Sequence, residues 1–488
     1  MNLRKGSFVN ARFFSVVVLA LQVAAAQISA VKEASRLEES GKFNEAASTL
    51  KKAMDSATGA ERKSLAFELD RLERIKDDFS VTKTRLTETL KKSINDFTPE
   101  ELDRWIAEGK LDSRIIDGEQ RFVGTSRSNL FWRYPEIAAR RINPPDDTEF
   151  AQNVFRACTD ITNAAREQQK PYVLPKHFKA TMTVKAKANA APAGATIRAW
   201  LPIPHTFPFQ KDFQVLSSTV PVQHLDAETS PIRSAYFEQQ AVNDKATEFR
   251  LDYRYTHFGI RFDLDPAKVQ PYDATPKELA PFTNEGPHVV FTDRIKKLSA
   301  EIADAETNPL LKAKKFYEWI AGEIKYSYAI EYSTIRNISD YCAARMYGDC
   351  GQEAMLFITL CRYNGIPARW QSAWLTMPGG KTIHDWTEIY LAPWGWVPVD
   401  PYMGIFAMRY LKGLSAEQKK FVRDFYFGGL DQYRMSANSD HCQELNPPKQ
   451  SMRSDNVDFQ RGEMEYGTSN LYFDKYSYEL HVEEEKMP

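Results

Sequence analysis

Apolar positions recur at helical spacing through the first part of the chain. Ala34, Leu37, Ala46, Leu50 and Ala53 form one series, and Leu65, Leu69, Leu72, Ile75 and Phe79 continue it, which predicts amphipathic helices. Gly41 punctuates the first series, and residues 37–54 have the pattern of one tetratricopeptide-like hairpin. Solenoids need about three copies to be stable, and one is visible, so this reads as an ordinary helix pair. Thr98-Pro99-Glu100-Glu101 predicts a helix start, with Thr98 as cap, Pro99 in the first turn and Glu101 closing a capping box. Gly109 stops that helix. The aromatic and basic stretch 121–141 has no assignable pattern. Residues 27–177 are expected to be mainly α-helical.

From Lys179 the period falls to two. Ala180, Met182, Val184 and Ala186 alternate with polar residues, as do Ile197, Ala199 and Leu201, and again Phe249, Leu251, Tyr253 and Tyr255. This predicts half-buried antiparallel strands and a β-sandwich over 178–264. Five prolines between Pro266 and Pro287 mark a linker over 265–287. The helical period returns with Ile295, Leu298 and Ile302, and Asn308-Pro309 opens a further helix carrying Phe316, Tyr317, Ile320 and Ile324. A domain over 288–435 and a tail with short strands over 436–488 complete an α+β multidomain chain.

The 488 residues suggest about three domains. A formal net charge of −1 argues against nucleic acid or an anionic membrane as a bulk electrostatic partner. Residues 1–26 read as a secretory signal: Arg4, Lys5 and Arg12 precede a short apolar core at 13–26, and Ala24-Ala25-Ala26 fits a cleavage site ahead of Gln27. Ile28-Ser29-Ala30 offers a second site. An uncleaved anchor is the alternative, although a span normally needs about 20 apolar residues. The expected location is exported, periplasmic or extracellular. The five cysteines leave an odd thiol and match no CxxC pattern, so neither a disulfide framework nor a metal site is expected.

One cysteine stands apart. Cys350 follows Asp349, a natural N-cap, and opens the apolar helix that contains Ala354, Met355, Phe357, Ile358 and Cys361. Backbone N–H groups and the helix dipole at that position favour a thiolate. Cys361, in the body of the same helix, reads as a core residue. A thiolate nucleophile needs a base and an acceptor behind the base. The segment 383–391 reads as a strand with His384 near its start, Pro393-Trp394-Gly395 as a turn, and 396–401 as the returning strand, so that His384 and Asp400 fall roughly opposite one another.

The runs GDCGQEAMLFITLCRYNGIPAR, HDWTEIYL and WGWVPVDP resemble the core of the transglutaminase-like superfamily, over roughly 290–405. The preceding sandwich, with Trp200-Leu201-Pro202-Ile203-Pro204, is similar to the β-domain ahead of such cores in bacterial exported members. The resemblance implies a papain-like topology and a triad of Cys350 as nucleophile, His384 as base and Asp400 as orienting acid. Gln352, the Cys350 N–H and Trp319 are the candidate oxyanion donors. Trp386 is a candidate aromatic wall, and Tyr326 sits where the family commonly has an aromatic residue. Such a site would act on amide bonds of peptides or proteins, without a cofactor. Hydrolysis makes it a peptidase or deamidase and is favoured; an amine acceptor makes it a cross-linking transglutaminase. A non-catalytic binding module that keeps the fold is the reading from another class, and a scaffold acting through its N-terminal helices is a further one. No acidic calcium-binding loop is visible.

Overall fold

In the computed structural model, which describes residues 30–273 and 278–485, the helix Pro99–Ala107 starts as its sequence requires: Glu101 Oε2 accepts from the Thr98 N–H at 3.2 Å. The signal segment at 1–26 lies outside the described residues. Among the described residues no helix is long and apolar enough to cross a membrane.

The chain divides between Pro144 and Pro145 into two units. The first is mainly helical, as its periodicity suggests, but it also holds a three-stranded sheet of Val81–Thr82, Glu119–Phe122 and Ser113–Ile116. Gly41, at φ +78°, crosses against this sheet; a side chain there would meet the carbonyl oxygen of Ile115 at 2.9 Å. The unassigned stretch 121–141 contains the helix Ser126–Arg133, whose Arg133 is buried and ion-paired to Asp112.

The second unit begins with α1 (Thr148–Gln168), so the end of the region expected to be mainly helical, 27–177, belongs with the strands. The longer strands that follow are β1 (Tyr172–Ala186), β2 (Thr196–Pro202), β3 (Gln210–Ser218), β4 (Ser234–Gln240) and β5 (Thr247–Arg261), with the two-residue strand His224–Leu225 paired to β4. Then come α2 (Asp293–Ala303), α3 (Pro309–Glu323), α4 (Ile338–Arg345) and α5 (Cys350–Tyr363). After them lie β6 (Ala368–Leu375), β7 (Thr382–Leu391), β8 (Gly395–Val399), α6 (Pro401–Arg409), α7 (Ala416–Phe425) and β9 (Arg434–Asn438). The chain returns through β10 (Glu463–Tyr466), β11 (Ser469–Leu471) and β12 (Tyr476–Glu485).

The predicted alternation decides the sandwich. Met182 on β1 pairs with Leu251 on β5 and with Leu480 on β12, while Ala199 on β2 pairs with Phe237 on β4 and with Met464 on β10. These two rows belong to one buried cluster, so the two sheets face each other across it. One sheet begins at Tyr172, before the expected start at 178. The tail, expected as a separate segment, supplies β12 to this sheet and β10 and β11 to the other. The physical reason is edge satisfaction: without β12 and β10, β1 and β2 would each present an unpaired row of backbone groups.

A four-stranded sheet runs β8–β7–β6–β9, and α5 packs against β6 and β7. From Gly351 to Arg362 every residue of α5 is buried, the signature of a helix enclosed on all sides. Asn308 caps α3 through Leu310 and Leu311, and Thr292 caps α2 through Ile295, as the Asn-Pro and Thr-Asp signals imply.

Candidate functional site

Asp349 caps α5. Its Oδ1 accepts from the Gln352 N–H at 3.1 Å and from the Tyr332 hydroxyl at 2.5 Å. Cys350 is therefore the first helical residue, where the sequence places it. The turn depends on Gly351: a Cβ there would lie 2.2 Å from the Tyr332 hydroxyl and 2.8 Å from Asp385 Oδ2.

His384 and Asp400 meet. Nε2 of the imidazole donates to Asp400 Oδ2 at 2.8 Å, and both side chains are buried. The hairpin register is not quite the simple one. Thr387 pairs with Val399, so Asp400 falls past the end of β8 and caps α6 instead, accepting from the Met403 N–H at 2.9 Å. Its other oxygen takes the imidazole. Asp400 is thus fixed by backbone at one oxygen and by side chains at the other.

The thiol of Cys350 does not hydrogen-bond to this pair. Sγ donates to Asp385 Oδ2 at 3.3 Å. Asp385 in turn accepts from Gln460 Nε2 at 2.5 Å, and the same amide also reaches the carbonyl oxygen of His384 at 3.0 Å. Burial, together with the charges of Asp385 and Asp349, pushes the thiol well above its ordinary value. The expectation that the helix N-terminus favours a thiolate is corrected here: burial and two carboxyl groups outweigh the helix end. Burial also raises Asp385, reinforced by Asp458, and holds Asp349 at about 6.

Trp386 is fully buried; its Nε1 donates to Gln371 Oε1 at 2.7 Å, and its ring stacks 5.7 Å from that of His384. It is a wall behind the imidazole. Gln352 is buried, and its amide nitrogen has no hydrogen-bond partner among the described residues, a donor in waiting on the first turn of α5. Tyr326 packs on Tyr402 at 5.2 Å and on Tyr328 at 5.7 Å, while Tyr402 lies 4.8 Å from the imidazole of His384. A line of tyrosine rings therefore leads from the exposed Tyr328 to the imidazole of His384.

Three residues at the site escape any sequence reading. Arg434 Nη1 donates to the same Asp400 Oδ2 at 2.9 Å, and its other nitrogens hold Asp431 Oδ2 at 3.1 and 2.8 Å. Gln460 arrives from the segment before β10. No local motif marks any of them.

Residues 296–401 match the sequence profile of the transglutaminase-like superfamily. An uncharacterized protein of Haemophilus influenzae is 25% identical over 172 residues, covering 30% of this chain and 46% of that one, so the chain matches less than half the length of that relative. Among solved structures, a proposed cysteine protease from Cytophaga hutchinsonii is 14% identical, with a TM-score of 0.39 over 64% of this chain and 99% of that one. The periplasmic domain of TgpA from Pseudomonas aeruginosa is 15% identical, with a TM-score of 0.25 over 49% and 91%. The helix opened by Cys350 and the strands that carry His384 and deliver Asp400 fall inside the segment that matches the transglutaminase-like superfamily.

Proposed function

We propose that this chain is an exported thiol-dependent acyl-transfer enzyme acting on amide bonds of peptides or proteins, with Cys350 as nucleophile, His384 as base and Asp400 as its orienting acid. The observation that carries the reading is the buried His384–Asp400 hydrogen bond, joined in one segment that matches the transglutaminase-like superfamily by a cysteine at the first position of α5. With Nε2–H committed to Asp400, Nδ1 is the lone pair that takes the thiol proton. Sulfur then attacks the amide carbonyl, the C–N bond breaks, and the imidazolium returns its proton to the departing amine. Water attacks the thioester, its hydroxyl goes to the acyl carbon and its proton returns to sulfur. The Cys350 N–H and the unpartnered Gln352 amide are the donors available to the developing oxyanion.

Hydrolysis is favoured because transfer to an amine needs a site that excludes water and holds that amine in line. The test offers the purified protein glutamine-containing peptides and a biotinylated primary amine. Cleaved or deamidated peptides without biotin support the hydrolase. Cys350-dependent biotin incorporation makes it a cross-linking enzyme.

A second reading, a binding module that keeps the fold, is favoured by one observation: Sγ is engaged by Asp385 and not by the imidazole. A thiol-directed amide-mimicking probe separates the two, since a module without chemistry leaves Cys350 unmodified.

A further inference from the structure

Four side chains form one buried cluster around the base: His384, Asp400, Arg434 and Asp431, each no more than 1% exposed. Asp400 Oδ2 is shared by the imidazole at 2.8 Å and the Arg434 guanidinium at 2.9 Å. A cation bonded to the acid would by itself draw that carboxylate away from the base. The guanidinium, however, is also gripped by Asp431, which further accepts from the Tyr426 hydroxyl at 3.0 Å. An unmatched charge in such a setting costs several kcal/mol, so the sum over the cluster matters. Two carboxylates and one guanidinium leave one negative charge. An imidazolium at His384 cancels it.

We propose that Arg434 and Asp431 are a charge-matched positioning pair for the base: Arg434 fixes the Asp400 carboxylate against His384, and Asp431 cancels the guanidinium, so that the cluster is neutral when His384 is the imidazolium. The groups facing the cluster from neighbouring elements do not disturb this sum. Burial pushes the Glu353 carboxyl of α5 well above the usual carboxylate range. Tyr402 and Tyr426 have their hydroxyls pushed well up, as does Tyr317 of α3. The Cys158 thiol of α1 is raised, and His257 of β5 is pushed down to about 3 and is neutral. Burial is the first cause in every case. At His384 itself, burial lowers the imidazole, Asp400 and Asp431 raise it, and Arg434 lowers it, with burial prevailing.

The inference rests on His384 and Asp400 being base and acid, and its test reads the imidazole directly. The full chain, labelled at histidine ring carbon, is titrated by NMR, with the His384 resonance assigned through His384→Gln. Asp431→Asn, an isosteric change, is expected to move the His384 titration to lower pH, because the guanidinium is left unmatched. Arg434→Gln is expected to move it to higher pH, and the double variant to return it toward the parent. The acid limb of any turnover follows the same order. Unmoved titrations in folded Asp431→Asn, with Asp400→Asn shifting them, would overturn the pairing, whether or not Arg434→Gln folds. Titrations that move as expected in a protein with no Cys350-dependent turnover would uphold the pair and remove the acyl-transfer reading.

Discussion

Cys350 Sγ donates its hydrogen bond to Asp385 Oδ2 across 3.3 Å. The nucleophile proposed for this site therefore rests on a carboxyl group one residue along β7 from the imidazole. A negative neighbour disfavours thiolate. Removing it should do the opposite. Asp385→Asn is expected to raise the rate of Cys350 alkylation by iodoacetamide at pH 7.5, read by mass spectrometry of the modified peptide. A rate at or below the parent's would show that burial alone suppresses the thiol.

Selectivity among the thiols should survive, though for reasons of access. Cys158, Cys342 and Cys361 are fully buried, while Cys350 and Cys442 are half-buried. Burial pushes Cys442 up to about 12. Brief alkylation is expected to modify Cys350 and Cys442 before the other three, with the amide-mimicking probe reaching Cys350 alone. Modification of Cys361 first would contradict the packing of α5.

Asp400→Asn should retain the fold and lose ~10⁴-fold in turnover, the scale on which triads suffer when the imidazole is misoriented. The Met403 N–H can still be capped by the asparagine oxygen, so thermal unfolding should change little. Near-parental turnover would remove Asp400 from the orienting role.

Gly351→Ala tests the crowding at the top of α5. Its Cβ would meet the Tyr332 hydroxyl at 2.2 Å and Asp385 Oδ2 at 2.8 Å, and overpacking of this kind costs about 1–3 kcal/mol. The expected outcome is a lower unfolding temperature together with altered labelling at Cys350, because Asp385 holds the thiol and Tyr332 holds the Asp349 cap.

Stability should also depend on His257, which is fully buried with Nε2 unpartnered and pushed down to about 3 by burial. Its folded value lies below its unfolded one, so its contribution is complete above about pH 6.5 and is lost as pH falls toward 3. Between pH 6.5 and pH 5 the loss is about 2 kcal/mol. His257→Asn should narrow the difference in unfolding temperature between pH 7 and pH 5. An unchanged difference would mean that the imidazole is protonated in the folded chain.

What the sequence discloses about this site is what is local. Asp349 and Cys350 announce a helix start by adjacency, and His384 and Asp400 sit on two strands joined by a visible turn, so both pairs are legible. Arg434 lies on β9, beside β6 and not beside β7, and neither its neighbours nor its spacing connect it to Asp400. Gln460 reaches β7 from an irregular segment with no period to follow. Asp385 is the instructive case. Its place next to His384 on the strand suggests no role, and only the fold reveals that Cys350 Sγ bonds to it. The short aromatic runs in 471–480 suggest one or two strands, but nothing in them names β1 as the partner.

That partnership has a consequence for how the molecule comes together. Lys176 and Glu484 form an ion pair although 308 positions separate them along the chain, and β1 and β12 run antiparallel for the whole of β12. The segment carrying Cys350, His384 and Asp400 is threaded between two strands of one sheet. Closing so long a loop is entropically slow, and the sheet cannot close until the intervening residues have been gathered in. Assembly of the sandwich should therefore report on the state of the transglutaminase-like core: a lesion that leaves the core unfolded would also leave β1 without its partner, exposing a strand edge that invites association with another copy.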